Sequence, residues 1–165
     1  MEKSKTKKSV KKSIDKISEH ISYKEATYSA TANKLGIKNI PNEKELECMQ
    51  KVAKEVFEPL REWVGCPIKV NSMFRCEELN RALKGSKTSS HLKGQAIDIT
   101  TMACEKDDCK SNLDMFHYIK DNLDFDQLIW EFGSEPKWLH VSYVSKKKNR
   151  NQVLVTKRKG VYYTY

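Results

Sequence analysis

The sequence predicts an α+β fold, a small antiparallel sheet flanked by N-terminal helices. Three observations predict it. Apolar residues recur at three- and four-residue steps in the first half. Short runs rich in β-branched and aromatic residues dominate the second half. At 165 residues with no internal repeat, the chain fits one domain with a real core.

The elements follow in order. Residues 1–16 are rich in Lys and Ser without apolar periodicity, and read as a flexible basic arm or a frayed helix. The folded domain then runs over 17–165. Ser22-Tyr23-Lys24-Glu25 is a capping-box pattern that opens a short helix. Gly36, free to take a positive φ, ends it. Asn42 caps a longer helix to about Val64, with Leu46, Met49, Ala53, Val56, Phe57, Leu60 and Trp63 on one buried face. Pro59 should kink it. Gly65-Cys66-Pro67 turns into a short strand over 68–72. A helix covers 77–83, and a polar loop over 85–90 leads to His91. A strand covers 95–100 and a helix 112–122. Strands cover 125–132 and 138–144, with Gly133-Ser134-Glu135-Pro136 turning between them. A basic terminal hairpin over 153–156 and 161–165 closes the chain around Lys159-Gly160. Trp130 and Trp138 are expected in the core.

Charge is unevenly placed. The net +9 divides into +4 over residues 1–20, +7 over 146–159 and −2 between. Basic termini of this kind suit an anionic polymer such as a wall polymer or nucleic acid, or simply a solvated surface. No run approaches the roughly 18 apolar residues of a membrane span. The basic start is followed by no apolar segment, so no secretory signal peptide is expected and synthesis is cytoplasmic. Five cysteines without Cys-x-x-Cys spacing argue against a disulfide framework or a thiolate zinc site. They read as mostly free thiols, with a small Cys104–Cys109 loop disulfide as the alternative. Asp107-Asp108, inside that loop, reads as a polar pair and not as a second metal site.

The chemistry sits in Ser89-Ser90-His91-Leu92-Lys93-Gly94-Gln95-Ala96-Ile97-Asp98 and Trp138-Leu139-His140-Val141-Ser142. Side chains alternate along a strand. Asp98 therefore shares a face with Ala96, and His140 with Ser142. If these strands are neighbours, Asp98 and His140 converge, and His91 reaches them from the loop before Gly94, where glycine permits close backbone passage. Two histidines, one carboxylate and an open position are what a catalytic zinc site needs. Zinc hydrolysis also requires a base and a cation. Glu131, at the end of an apolar strand, is the base candidate. Arg75, just after a strand, is the cation candidate. His20 and His117 lack such partners.

These residues resemble the zinc D-alanyl-D-alanine carboxypeptidases of bacterial cell walls, and most of all the short single-domain branch found in phages and their hosts. The likeness runs over about residues 17–156. Its pieces include 17–27, Pro59-Leu60-Arg61-Glu62, Ser72-Met73-Phe74-Arg75 with Leu79-Asn80, the Ser-x-His-x-x-Gly-x-Ala-x-Asp element from Ser89 to Asp98, 125–133, and Trp138 to Tyr143. The resemblance implies the fold shared by these peptidases and the hedgehog signalling domain. It implies Zn2+ held by His91, Asp98 and His140, with Arg75 as the substrate-polarising residue and Ser89 as a substrate contact. Several members carry an acid or a His three residues before the last ligand, where this chain has Lys137. The hedgehog domain instead places its Glu at the end of a Phe-Asp run. Phe125-Asp126 to Glu131 resembles that pattern, so Glu131 is the expected base and Glu135 the second choice.

The implied activity is hydrolysis of peptidoglycan stem peptides, as a D-Ala-D-Ala carboxypeptidase or a cross-link endopeptidase. The setting would be a phage or prophage enzyme of lysis or wall penetration, released by a holin or carried in a virion. The rival reading is a non-catalytic wall- or protein-binding module on the same zinc fold, which Lys137 keeps open. A nucleic-acid binder is disfavoured, because no reader motif accompanies the basic arms.

Overall fold

A computed structural model describes residues 14–103 and 109–165. Most of the basic arm, as well as Cys104 and the Asp107-Asp108 pair, lie outside the described residues. Lys16 already pairs with Ser22 in an isolated bridge. Cys48, Cys66 and Cys76 are free thiols, whereas Cys109 is disulfide-bonded.

The N-terminal region folds as two short helices where one was expected, α1 (Tyr23–Thr27) and α2 (Ala30–Leu35). Ser22 Oγ caps the first by accepting from Glu25 N at 3.1 Å. Ser29, in extended backbone, breaks the run and caps the second. Gly36 ends α2 at φ 68°. Asn42 and Glu45 form the reciprocal capping box of α3 (Glu43–Val52). A π-helical turn over Ala53–Phe57 leads into α4 (Glu58–Val64). Pro59 stands in the first turn of α4. Proline has no N–H and its ring crowds the carbonyl four residues back. The wider π turn accommodates both, so the expected kink takes the form of a local bulge.

The sheet contains β1 (Ile68–Ser72), β2 (Ala96–Thr101), β3 (Gln127–Glu131), β4 (Trp138–Ser142), β5 (Gln152–Arg158) and β6 (Val161–Thr164). Their order is β1-β2-β4-β3-β5-β6. The α+β class holds, but the sheet is mixed rather than wholly antiparallel: β3 and β5 run parallel. Chain direction explains this. After β4 the chain loops back past Asp126 and places β5 outside β3, in the same sense. Arg150 forks onto Asp126, with Nη2 to Oδ2 at 2.6 Å and Nε to Oδ1 at 2.9 Å, and fixes the start of the parallel pair. Two further helices, α5 (Glu77–Ala82) and α6 (Asn112–Asn122), complete the described fold.

The sheet has two unlike faces. On one, Ile97, Ile99, Leu128, Leu139 and Val141 are fully buried against Met49, Val56, Phe57 and Leu60 of the long helical stretch and Met115, Phe116 and Ile119 of α6. Each such side chain is worth about 1.5–3 kcal/mol of transfer free energy. Trp130 joins this face as expected, edge-on to Phe116 and stacked on Tyr165. The opposite face carries the polar residues of the same strands.

Candidate metal centre

Strand register builds the polar face. Asp98 and His140 are direct cross-strand partners in β2 and β4. Ile129 of β3 lies opposite His140 on its other side, so Glu131, two residues further, shares that face. His91 arrives from a 3-10 turn, Ser90–Lys93, that Gly94 closes at φ 65°. A Cβ on Gly94 would lie 2.4 Å from the Glu45 carbonyl oxygen, so only glycine lets the turn pack against α3. The close passage expected at Gly94 is present, with α3 as the neighbour.

Three ligand atoms converge. His91 Nε2 lies 3.1 Å from Asp98 Oδ1 and 3.2 Å from His140 Nδ1, and His140 Nδ1 lies 2.8 Å from Asp98 Oδ1. Among the described residues, His91, Asp98 and His140 are a group that can hold a metal ion. They are 2%, 8% and 9% exposed, too little for free hydration to account for three polar groups pressed together. The donor set suits zinc, for which nitrogen and carboxylate ligands are ordinary.

The surroundings prepare these atoms. His91 Nδ1 lies 2.7 Å from the Met73 carbonyl oxygen. A carbonyl only accepts, so Nδ1 carries the proton and Nε2 presents its lone pair to the centre. Burial holds the His91 imidazole below its usual range despite the nearby Asp98 charge, which keeps it neutral. Burial alone would raise Asp98, but the charges and hydrogen bonds of His91 and His140 outweigh it and hold the carboxyl well below the carboxylate range.

Arg75 faces the same centre. Its Nη2 donates to Asp98 Oδ2 at 2.7 Å and its Nε to Ser72 Oγ at 2.9 Å. Asp98 thus divides its oxygens, one toward the histidines and one toward Arg75. The segment carrying Arg75 is held on both flanks by the buried Asn39. Its Nδ2 donates to the Phe74 and Thr27 carbonyls, both at 2.9 Å, and its Oδ1 accepts from Cys76 N at 2.8 Å.

Glu131 lies on the same cleft, half-buried. Burial pushes its carboxyl up to about 7, and the Asp98 charge adds to this while His140 and Arg75 pull the other way. Around these groups runs a cleft of about 860 Å3 whose lining includes Arg75, Ser89, His91, Asp98, Glu131 and His140. The sequence-predicted set is therefore brought together on one surface. Glu135 is not: it is exposed on the turn between β3 and β4 and is not part of that lining. Lys137 is exposed too, and its backbone N donates to the Glu131 carbonyl at 3.0 Å. His20 pairs with Glu58 far along the chain, and His117 packs by Phe116.

A family model described as Peptidase M15 matches residues 19–142, three-quarters of the chain. The chain belongs to the peptidase M15 family. It is a zinc-dependent peptidase, and the resemblance to the zinc D-alanyl-D-alanine carboxypeptidases is borne out at family level. No curated relative matches the chain. Among the described residues of this M15 peptidase, no helix is long and apolar enough to cross a membrane.

Three contributors escaped the sequence reading. Trp138, expected in the core, lines the cleft. It stands two residues before His140, and strand alternation alone would have put it there. Tyr162 of β6 also lines the cleft, and burial, reinforced by the charges of Glu131 and Asp98, raises its phenol. Its position depends on the pairing of β3, β5 and β6, for which the sequence holds no local signal. Asn39 carries no motif at all.

Proposed function

We propose that this M15 peptidase hydrolyses peptidoglycan stem peptides, with zinc held by His91 Nε2, Asp98 Oδ1 and His140 Nδ1. The observation that carries the reading is the convergence of Glu131 and Arg75 on the face that holds this ligand set. When bound, zinc supplies Lewis acidity and lowers the pKa of a coordinated water. Glu131 accepts the proton of the attacking water and passes it to the leaving amine. Its raised pKa suits a group that must both take and return a proton near neutral pH. Arg75 holds the substrate carbonyl oxygen as negative charge develops there. Ser89, on the lining of the cleft, contacts the substrate backbone.

The bond cut lies at a D-amino acid, as D-Ala-D-Ala trimming or cross-link cleavage. The residue 146–159 stretch, with +7, favours anionic wall polymers. We place the enzyme in phage or prophage lysis or wall penetration, reaching its substrate through a holin or a virion. Mass spectrometry of digested muropeptides tests the reading. Release of D-alanine or separation of cross-linked dimers, lost in Asp98→Ala and Glu131→Gln, is expected. Intact muropeptides with a zinc-loaded protein would overturn it.

A further inference from the structure

The antiparallel pairing of β2 with β4 runs from Ala96↔Ser142 to Ile99↔Leu139. Two residues further, the same register sets Thr101 opposite Lys137. Bonded and non-bonded pairs alternate along such a ladder, and Tyr143 N donates to the Gln95 carbonyl at 2.9 Å. By that alternation Thr101 and Lys137 fall on a bonded position. A side chain stands between them instead. Asn112 Oδ1 accepts from Thr101 N at 2.8 Å, and Asn112 Nδ2 donates to the Lys137 carbonyl at 2.9 Å. A carboxamide has the donor and the acceptor of a peptide unit, so it can be spliced between two strands that part.

The rest of the amide is used as well. Its second N–H donates to the Pro136 carbonyl at 2.9 Å. Thr100 Oγ1 braces it, 3.0 Å from Nδ2 and 3.2 Å from Oδ1. Asn112 is the first residue of α6, whose start the Ser111–Asp114 capping box holds. One side chain therefore ties the end of β2, the start of α6 and the turn between β3 and β4.

Lys137 passes that restraint to the cleft. Asn112 holds its carbonyl, and its own N–H donates to the Glu131 carbonyl at 3.0 Å. Glu131 and Phe132 enter the turn, Trp138 and His140 follow it, and all four line the cleft. Asn112 is not part of that lining. Phe132, at φ 60°, packs edge-on to Trp138 with ring centroids 5.1 Å apart. A bulky residue in the left-handed region costs energy and persists only where its surroundings over-determine it.

We infer that Asn112 is a positioning residue for hydrolysis: its carboxamide, spliced into the β2–β4 ladder, sets the turn that aims Glu131 at the metal centre. This rests on the reading of Glu131 as the base.

Asn112→Asp is the discriminating variant. It keeps the acceptor for Thr101 N–H, and a carboxylate in the first turn suits α6, but both N–H donors to the turn are lost. Ser111→Ala is the control, because it weakens the start of the same helix and spares the amide. With zinc-loaded proteins acting on muropeptides, Asn112→Asp should lower kcat about tenfold with KM nearly unchanged. Ser111→Ala should keep the wild-type kcat. Amide hydrogen exchange reads the turn without turnover. In Asn112→Asp, exchange at Lys137 should speed up about tenfold relative to Ile97 and Val141 in the strands beside it. Should that variant not fold, Thr100→Val, which removes only the bracing hydroxyl, should give the same changes at smaller amplitude. Intact muropeptides with the wild type, or full activity in Glu131→Gln, would count against Glu131 as base, while exchange at Lys137 still judges the turn. A wild-type kcat in Asn112→Asp, an equal loss in Ser111→Ala, or unchanged relative exchange at Lys137 would overturn the proposal.

Discussion

Met73 and His91 are joined by a 2.7 Å hydrogen bond from an imidazole N–H to a backbone carbonyl. The bond decides which ring nitrogen faces the metal centre. It also ties the ligand to the segment that carries Arg75, whose own N–H donates to the His91 carbonyl at 3.2 Å. The candidate ligand His91 and the cation Arg75 are thereby positioned by the same few residues of backbone.

Removing a ligand should empty the centre. Asp98→Ala leaves two buried histidines without their carboxylate and Arg75 without its partner. Elemental analysis should find the wild type with zinc and the variant without it, and hydrolysis should fall at least a thousandfold, on the order of the loss of a metal-activated water. Glu131→Gln should keep its zinc and lose about 10²–10⁴ in kcat, the usual contribution of a general base. A Glu131→Gln protein as active as the wild type would remove Glu131 from the mechanism.

The Glu131 carboxyl also predicts a pH effect on the chelated protein. Its folded pKa of about 7 exceeds the ordinary 4.5. The native state therefore binds a proton that the unfolded state releases, and stability from this group is full below about 4.5 and lost as pH rises through 7. Thermal melting with chelator present should show Glu131→Gln matching the wild type at pH 4.5. At pH 8 the variant should gain about 1 kcal/mol, a figure discounted for the partial exposure of the side chain. A gain that does not change with pH would contradict the assignment.

Gly94→Ala should be among the most damaging single-methyl changes in the chain. The added Cβ would meet the Glu45 carbonyl oxygen at 2.4 Å and Met49 Cγ at 2.9 Å, at a φ of 65° that alanine disfavours. Strain and backbone displacement together should cost about 3 kcal/mol or more. Because His91 lies in the same turn, zinc affinity should fall with stability. Urea denaturation and a competitive zinc titration would check both.

Asn39→Ala removes three hydrogen bonds around Arg75 and leaves the Phe74 carbonyl and Cys76 N–H without their partner. Unpaired buried groups cost about 1–3 kcal/mol each, so a loss of roughly 2–4 kcal/mol is expected. If Arg75 acts at the developing charge as proposed, the kinetic signature should be a fall in kcat larger than any rise in KM. Unchanged kcat in a folded variant would limit Asn39 to a stabilising role.

Much of the site was legible because it follows from two local regularities. Strand alternation put Asp98 and His140 on chosen faces, and a glycine three residues after His91 marked a tight approach. The cross-strand pairing of Asp98 with His140 and the arrival of Glu131 beside them are what those regularities allow. The rest depends on which strands become neighbours. The parallel pairing of β3 with β5 is set by Arg150 folding onto Asp126, a contact between residues 24 positions apart. Tyr162 and Lys159 reach the cleft only through that pairing. Trp138 is hard to place for another reason: its apolar bulk suits a core, while its register, two residues before His140, turns it to the cleft. The helical half shows the same division. The Asn42 cap and the face from Met49 to Leu60 were visible. The conversion of a kink at Pro59 into a π turn depends on packing around it.

The unlike faces of the sheet carry a consequence for variation. Along β2, odd-numbered residues (Ile97, Ile99) anchor the helices while even-numbered Asp98 serves the centre. In β4 the odd positions Leu139 and Val141 are anchors and His140 faces the cleft, and in β3 the parity reverses, with Leu128 an anchor and Glu131 facing the cleft. A substitution scan across these strands would therefore yield two interleaved phenotypes, loss of folded protein and loss of turnover, switching at almost every residue. Specificity could drift along one set of positions while the scaffold stays untouched on the other.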